Sequence, residues 1–313
     1  MKSLVTGFTH LEVHSHFTLL GGTMPVQELV ERAVADKLTA LALTDTNALY
    51  GAVSFAKACR GAGIKPILGM AAHVAVPAGV MPPDATVPGK LLLLADGSAG
   101  YRSLCNLASY LQGGAGRRMQ QPVLSWEILR DHHQGLICLS GGREGWLERL
   151  LRADRRDSAA RLISQLGGLF HERCYLSICP RFANDPVADD LAALAQRFGL
   201  PIVAVQAIYC RQPDEARRLR LLAAIDQNCS LAEVADSSLP AMGDTAVPIH
   251  WPTLAEVNDR FVAFPEALAM AAEIAALCQL GLPDGRPIWP ALSLPDGQTP
   301  EETLAAAAAT GLA

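Results

Sequence analysis

The feature that most constrains the fold is a repeated alternation of short apolar runs with helix-like stretches. The apolar runs lie at residues 39–43, 64–68, 90–94, 135–139, 174–178 and 202–205. The helix-like stretches lie at residues 26–36, 52–62, 100–112, 126–132, 144–151, 188–198 and 213–225. Strands that alternate with helices predict a parallel sheet with helices outside it. The pattern therefore indicates an α/β fold and leaves open whether its sheet is a closed barrel.

Composition and charge exclude several classes of protein. The chain has 313 residues and a formal net charge of −5, with its basic residues scattered. A protein that binds DNA on its own needs a basic face, so this class is disfavoured. Residues 1–10 lack a signal-peptide core, and the apolar run at 267–282 is too short to span a bilayer. We expect a cytoplasmic protein, whose eight cysteines lack the CxxC spacing of a zinc ribbon.

Four potential metal ligands alternate with other residues near the start of the chain. They are His10, Glu12, His14 and His16. Side chains in a strand repeat every second residue, so this spacing predicts that all four share one face. Imidazole and carboxylate groups are ligands of divalent metals. The residues alone fit either a metal site or a strand end whose histidines are solvated or hydrogen-bonded.

Two longer stretches point to a family. The chain reads HLEVHSHFTLLGG from residue 10 and TDTNALYGAVSFAKACRGAGIKPILGMA from residue 44. These stretches resemble HLHVHSxxSLLDG and TDHGNLYGAVxFYKAAxxxGIKPIxGxE in the PHP (polymerase and histidinol phosphatase) domain of bacterial DNA polymerase III alpha subunits. The resemblance implies a distorted seven-stranded α/β barrel of TIM-like type, with a metal site at the carboxyl ends of its strands.

The same resemblance implies that most metal ligands are lost. Glu12 stands for the first histidine of the family's HxH motif, whereas His14 and Asp45 are kept. Five further ligand positions carry other residues, namely Gly21, Thr46, Ala71, Ala207 and Tyr209. Arg181 stands near an expected histidine and would place a positive charge where a cation once lay. A catalytic metal needs three or more protein ligands, so we expect no catalytic residue and no cofactor. The alternative is zinc or manganese held by Glu12, His14 and Asp45.

The resemblance also implies a role and partners. It implies a non-catalytic PHP-like domain with a structural and docking role in a DNA polymerase III alpha-type polymerase, replicative or error-prone. Its partners would be the palm and thumb segments of the polymerase core and, in some members, a proofreading exonuclease subunit. DNA would be contacted only indirectly, and no membrane is involved. The alternative is a metal-dependent phosphoesterase or 3′–5′ exonuclease with a reduced ligand set.

The character of the chain changes after residue 235. Residues 1–235 are predicted to form the barrel, and residues 236–313 a loop, two helices and a proline-rich connector toward a polymerase core. Four apolar residues in the connector have little around them in sequence to bury them: Trp289, Pro290, Leu292 and Leu294. Exposed apolar surface indicates a partner face, so we expect docking here, with a tail folded back along its own barrel as the alternative.

Overall fold

The computed structural model describes residues 8–81, 87–113, 122–182, 184–283, 285–287, 294 and 297–311. The chain divides into two compact units, Met1–Leu282 and Pro283–Ala313. The boundary after residue 235 stays a prediction. No helix in the described ranges is both long enough and apolar enough to cross a bilayer.

The first unit alternates strands with helices, as the sequence predicts. Its strands are β1 (Ala40–Leu43), β2 (Lys65–Val74), β3 (Gly89–Ala95), β4 (Leu136–Leu139), β5 (Cys174–Ile178) and β6 (Ile202–Ala204). Its helices are α1 (Val26–Ala35), α2 (Ala52–Gly61), α3 (Gly97–Gln112), α4 (Trp126–Asp131), α5 (Trp146–Arg152), α6 (Arg156–Phe170), α7 (Pro186–Phe198), α8 (Ala216–Gln227), α9 (Leu254–Arg260) and α10 (Pro265–Leu277). The pattern did not predict α6, whose start is obscured by the basic run at residues 152–156.

The six strands form one sheet in chain order. The β1–β2, β4–β5 and β5–β6 pairs are parallel, but β3 runs antiparallel to both β2 and β4. The expectation of a wholly parallel sheet is therefore wrong at β3. Parallel neighbours need a crossover connection, usually a helix, whereas antiparallel neighbours do not. The described residues between β2 and β3 contain no helix.

The segment at residues 10–14 closes this sheet into a barrel. On one side, Thr44 N donates to Val13 O at 2.9 Å, which joins the segment to the end of β1. On the other side, His14 N donates to Ile208 O at 2.8 Å, just beyond β6. Val13 and Ile208 also form a parallel bridge. The segment thus acts as a seventh, irregular strand, and the predicted α/β barrel is confirmed.

The helices cover the outside of the barrel. Every residue of β3 is buried, as expected for a strand that is covered on both faces. The α10 helix packs against β6, and α1 packs against α2. Burial of these faces provides the main stabilisation of the first unit, because the hydrophobic effect scales with the apolar area removed from water. It also holds the strand ends that form the candidate site.

The second unit contains α11 (Pro300–Gly311), whose first turn is capped by Thr299. Glu302 N donates to Thr299 Oγ1 at 3.3 Å, and Thr299 N donates to Glu302 Oε2 at 2.9 Å. These reciprocal bonds are a capping box, which satisfies two amide groups at the helix start. Of the predicted docking residues, Leu294 is partly buried, and Trp289, Pro290 and Leu292 lie outside the described residues.

Candidate functional site

A pocket of about 350 Å³ lies at the carboxyl ends of β1, β2, β4 and β6. Its lining includes Thr46, His73, Lys90, Glu144 and Tyr209. Lys90 is present because β3 is antiparallel: the start of this strand lies beside the end of β2, with His73 and Lys90 in register. The reversed strand therefore brings a cation to the end of the barrel where the predicted site residues lie.

The Lys90 ammonium is buried between two carboxylates. Its Nζ lies 2.5 Å from Glu12 Oε1 and 3.2 Å from Glu144 Oε1. The Lys90 and Glu12 side chains are only 4% and 2% exposed. Burial alone would raise the pKa of Glu12, but the Lys90 ammonium holds it at about 2. Burial alone would lower the pKa of Lys90, but Glu12 and Glu144 hold it well above its ordinary value. These groups therefore remain charged near neutral pH.

His14 and Tyr209 extend this cluster. His14 Nε2 lies 3.4 Å from Glu12 Oε1, and its Nδ1 lies 3.4 Å from Thr46 Oγ1. The His14 ring stacks on Tyr209 with a centroid distance of 3.9 Å. The Tyr209 hydroxyl donates to Glu144 Oε1 at 3.3 Å. Both His14 ring nitrogens thus have polar neighbours within the chain, and the Tyr209 side chain joins His14 to Glu144.

Asp45 is buried, but its hydrogen bonds hold a turn. Its Oδ1 accepts from Ser15 N at 2.7 Å and from Thr18 Oγ1 at 2.8 Å. Its Oδ2 accepts from Ser15 Oγ at 2.9 Å. Hydrogen bonds to an ionised group are among the stronger ones in proteins. Asp45 therefore fixes the loop that follows His14.

Arg181 makes its ion pairs with other carboxylates. Its Nε lies 3.2 Å from Asp185 Oδ2, and its Nη1 lies 3.7 Å from Asp244 Oδ2. Lys90, rather than Arg181, is the cation that contacts Glu12. Lys90 and Glu144 are absent from the site residues that the sequence predicts. The available signal was one lysine at the start of the apolar strand KLLLL, since a buried lysine requires a partner.

The alternating residues of segment 10–16 do not share one face. His10 packs against Trp251, with a centroid distance of 4.9 Å, and burial lowers the pKa of His10 to about 4. His16 is exposed, because the chain enters a turn at Ser15. The prediction of a single ligand face is therefore wrong. Glu12 and His14 alone of the four are joined by a direct contact.

The residues at the strand ends do not fit a divalent metal cluster. Within the described ranges, no three His, Cys, Asp or Glu side chains are grouped as a metal site would require. Glu12 Oε1 is bound by Lys90, and the Asp45 carboxylate is bound by the turn. Among the positions predicted as lost ligands, Gly21 lines the pocket, Ala71 is buried in β2, and Ala207 packs beside Tyr209.

Known bacterial polymerases are similar to this chain along nearly its whole length. DNA polymerase III subunit alpha of Bacillus subtilis (strain 168) is 29% identical over 95% of this chain and 25% of its own length. The error-prone DNA polymerase of Mycolicibacterium paratuberculosis is 32% identical over 97% of this chain and 28% of its own length. The chain therefore spans about a quarter of the length of these relatives.

Two further comparisons concern the fold and the family. A solved amidohydrolase from Chromobacterium violaceum is similar with a TM-score of 0.45 and 15% identity, over 66% of this chain and 88% of that chain. A sequence profile of the PHP domain matches residues 10–180, which is more than half of the chain. This match covers both stretches on which the resemblance rests and extends through β5. The chain belongs to the PHP domain family.

Proposed function

We propose that this chain is a non-catalytic PHP domain with a structural and docking role in a DNA polymerase III alpha-type polymerase, replicative or error-prone. The observation that carries the proposal is the Lys90 ammonium between Glu12 and Glu144 at the strand ends. The similarity to DNA polymerase III subunit alpha and to error-prone DNA polymerase supports the choice of polymerase. We assign DNA synthesis to the palm and thumb segments of such a polymerase; this chain spans about a quarter of the length of these relatives.

The charged side chains that line the pocket argue against hydrolysis of a phosphate ester. Such a reaction needs an activated water and positive charge for the phosphoryl oxygens. Lys90 is the one Lys or Arg among the described residues that line the pocket, and two carboxylates already neutralise it. Burial lowers the pKa of His73 to about 4, so this neighbour is neutral at pH 7. Lys90, its two carboxylate partners and His73 therefore offer no net positive charge to a phosphate.

The hydroxyl of Tyr209 is also unsuited to act as a base. Burial, together with the nearby Glu144 carboxylate, raises the pKa of Tyr209 well above its ordinary value. Tyr209 thus stays protonated, and its ring is stacked on His14. A general base must be able to accept a proton near the working pH. These residues instead fill and stabilise the end of the barrel.

The proposed partners are the palm and thumb segments of a polymerase core and a proofreading exonuclease subunit. DNA is reached through these partners, since the chain is acidic overall, with a net charge of −5. We place the protein in the cytoplasm, where bacterial DNA is replicated. The core segments are either a continuation of the same chain or a separate chain.

An activity assay tests the non-catalytic part of the proposal. The purified chain and a His14→Ala variant are incubated with single-stranded DNA and with a phosphomonoester, in the presence of manganese or zinc. We expect no hydrolysis that depends on His14, because the cluster lacks a free metal ligand set. Manganese-dependent 3′–5′ exonuclease activity that is lost in His14→Ala would support the enzyme alternative instead.

A binding assay tests the docking part. The tagged chain is co-expressed with the palm and thumb segments of a DNA polymerase III alpha-type chain from the same organism, then purified by affinity and gel filtration. We expect a complex of one chain with one core. Separate elution of the two at micromolar concentration would contradict a docking role, whereas it would leave the family assignment intact.

A further inference from the structure

One wall of the pocket is a short segment that lies outside the sheet. Residues 236–244, here called the strap, follow α8 and include two 3₁₀ turns, Asp236–Ser238 and Pro240–Gly243. The described strands do not include the strap, so its position depends on local contacts rather than on strand pairing. The strap residues that line the pocket are Ser237, Ser238, Leu239, Pro240 and Met242.

The backbone of the strap is strained at two positions. Ala241 has φ 53° and ψ 21°, and Met242 has φ 55° and ψ 34°, so both lie in the left-handed region. Gly243 follows with φ 71°. For a residue with a Cβ, this conformation is disfavoured by about tenfold. Strain of this kind persists only where neighbouring groups hold it, and it is concentrated in ligand clamps and switch regions.

Two consecutive side chains beyond β4 hold the strained part of the strap. The Ala241 amide donates to Glu144 Oε1 at 3.0 Å. Arg143 Nε lies 3.4 Å from Asp244 Oδ2, and Arg143 Nη1 lies 3.9 Å from Met242 Sδ. The Arg143 and Asp244 side chains are 20% and 18% exposed, so water weakens this ion pair. The strap is therefore held in place by contacts whose strength is similar to the strain that they oppose.

Movement of the strap would change the exposure of Glu144. The Glu144 oxygen that accepts from Ala241 also accepts from the Tyr209 hydroxyl at 3.3 Å and lies 3.2 Å from Lys90 Nζ. With the strap in place, the Glu144 side chain is 20% exposed. Loss of the contact with Ala241 would expose more of this carboxylate to water and would remove one wall of the pocket.

We propose that the strap is a two-state gate of the pocket. In the closed state, which the structure shows, Ala241 and Met242 are left-handed and the contacts with Arg143 and Glu144 are made. In the open state, these contacts are broken, the two strained residues relax, and small solutes reach Glu144. This gate goes beyond the docking role, because it concerns the access of solutes to the pocket and not the binding of a polymerase core.

Two variants shift the gate in opposite directions. Arg143→Ala removes the contacts with Asp244 and Met242, so it favours the open state. Ala241→Gly keeps the amide that donates to Glu144 but removes the Cβ. Glycine adopts positive φ readily, so this second variant favours the closed state.

Two measurements on the whole chain report on the strap. Hydrogen exchange followed by mass spectrometry gives protection factors for the strap amides and, as the reference for global unfolding, for β3. Labelling of carboxylates with a carbodiimide and glycine ethyl ester gives the accessibility of Glu144, with the exposed Glu172 as internal reference. Arg211→Ala is the matched control variant, since it removes an arginine that pairs with Glu28 and not with the strap.

In wild type, we expect the strap amides to exchange faster than those of β3 and to be insensitive to urea below the unfolding transition, because the strap opens without global unfolding. Arg143→Ala should lower strap protection about fivefold and raise the labelling rate of Glu144. Ala241→Gly should raise strap protection about threefold or more and slow the labelling. Arg211→Ala should match wild type in both measurements.

The gate is ruled out if the wild-type strap exchanges only as fast as β3, or if urea accelerates both alike. It is also ruled out if Arg143→Ala leaves strap protection and Glu144 labelling within about twofold of wild type, or if Ala241→Gly accelerates either process. If Arg143→Ala does not fold, Asp244→Asn weakens the same ion pair from the strap side and is judged by the same limits. Core binding and hydrolytic activity are measured separately, so the proposed function and the gate can fail independently.

Discussion

Replacing Glu12 by glutamine removes one charge from the buried cluster while it keeps the shape of the side chain. Burial alone would raise the pKa of Glu12, yet the Lys90 ammonium, together with the hydrogen bond to His14, lowers it from 4.5 to about 2. At about 1.4 kcal/mol per pKa unit, this lowering of the Glu12 pKa corresponds to about 3 kcal/mol of folding free energy. We expect Glu12→Gln to lose an amount of this order at pH 7, because Lys90 then keeps a single carboxylate partner.

The pH dependence gives the prediction its direction. Glu12 has a lower pKa in the folded chain than in the unfolded chain, so the unfolded state takes up the proton more readily. The stabilisation is therefore complete above about pH 4.5 and is lost as the pH falls through about 2. Glu12→Gln has no such proton to take up. Its stability should fall less steeply than that of wild type over this acid range.

The assay is urea unfolding followed by circular dichroism, at several pH values between 7 and 3. Glu172→Gln is the matched control, since Glu172 is an exposed glutamate whose replacement should change the free energy of unfolding by less than about 0.5 kcal/mol. The reasoning is refuted if Glu12→Gln stays within about 1 kcal/mol of wild type at pH 7. A variant that retains the full acid-dependent loss would refute it equally.

Two further predictions concern residues around the cluster. Asp45→Ala should lower the free energy of unfolding by about 2–4 kcal/mol, because it leaves the Ser15 amide and the Thr18 hydroxyl without their acceptor; a loss below 1 kcal/mol in urea unfolding would contradict this. Gly89→Ala should cost about 1–3 kcal/mol, because an added Cβ would overlap the buried Trp146 ring. An unchanged midpoint of thermal unfolding would show that the ring can move aside.

The sequence was informative about the elements of the fold and less so about their direction. Apolar runs predicted all six strands, and helix-like stretches predicted most helices, because burial leaves a local signal in the sequence. The antiparallel β3 was missed, since an apolar run such as KLLLL has the same pattern in either direction. The alternation at residues 10–16 indicated a strand there, whereas the seventh strand of a closed barrel was implied by the family resemblance.

The site was predictable only in part. Glu12, His14 and Asp45 lie buried at the strand ends, as the motifs imply. Lys90 could not be assigned to them from sequence, because its position depends on the reversal of β3. Glu144 comes from the short turn between β4 and α5, and nothing in its neighbourhood marks it as a partner of a lysine. Which charged residues meet across the barrel depends on the order and direction of its strands, and local sequence patterns do not reveal these.

The way in which the barrel closes has a consequence for the order of events during synthesis. The Thr23 hydroxyl donates to the carbonyl of Tyr209, 186 positions later, beside the hydrogen bond between His14 and Ile208. At about 5–20 residues per second, a ribosome needs roughly 10–40 s to make the intervening chain. During this time, the segment at residues 10–14 can pair with β1 but not with the chain around Ile208, which has not yet been made. The nascent barrel is therefore an open sheet with an unpaired edge. We expect chaperones to contact that edge before residue 208 leaves the ribosome.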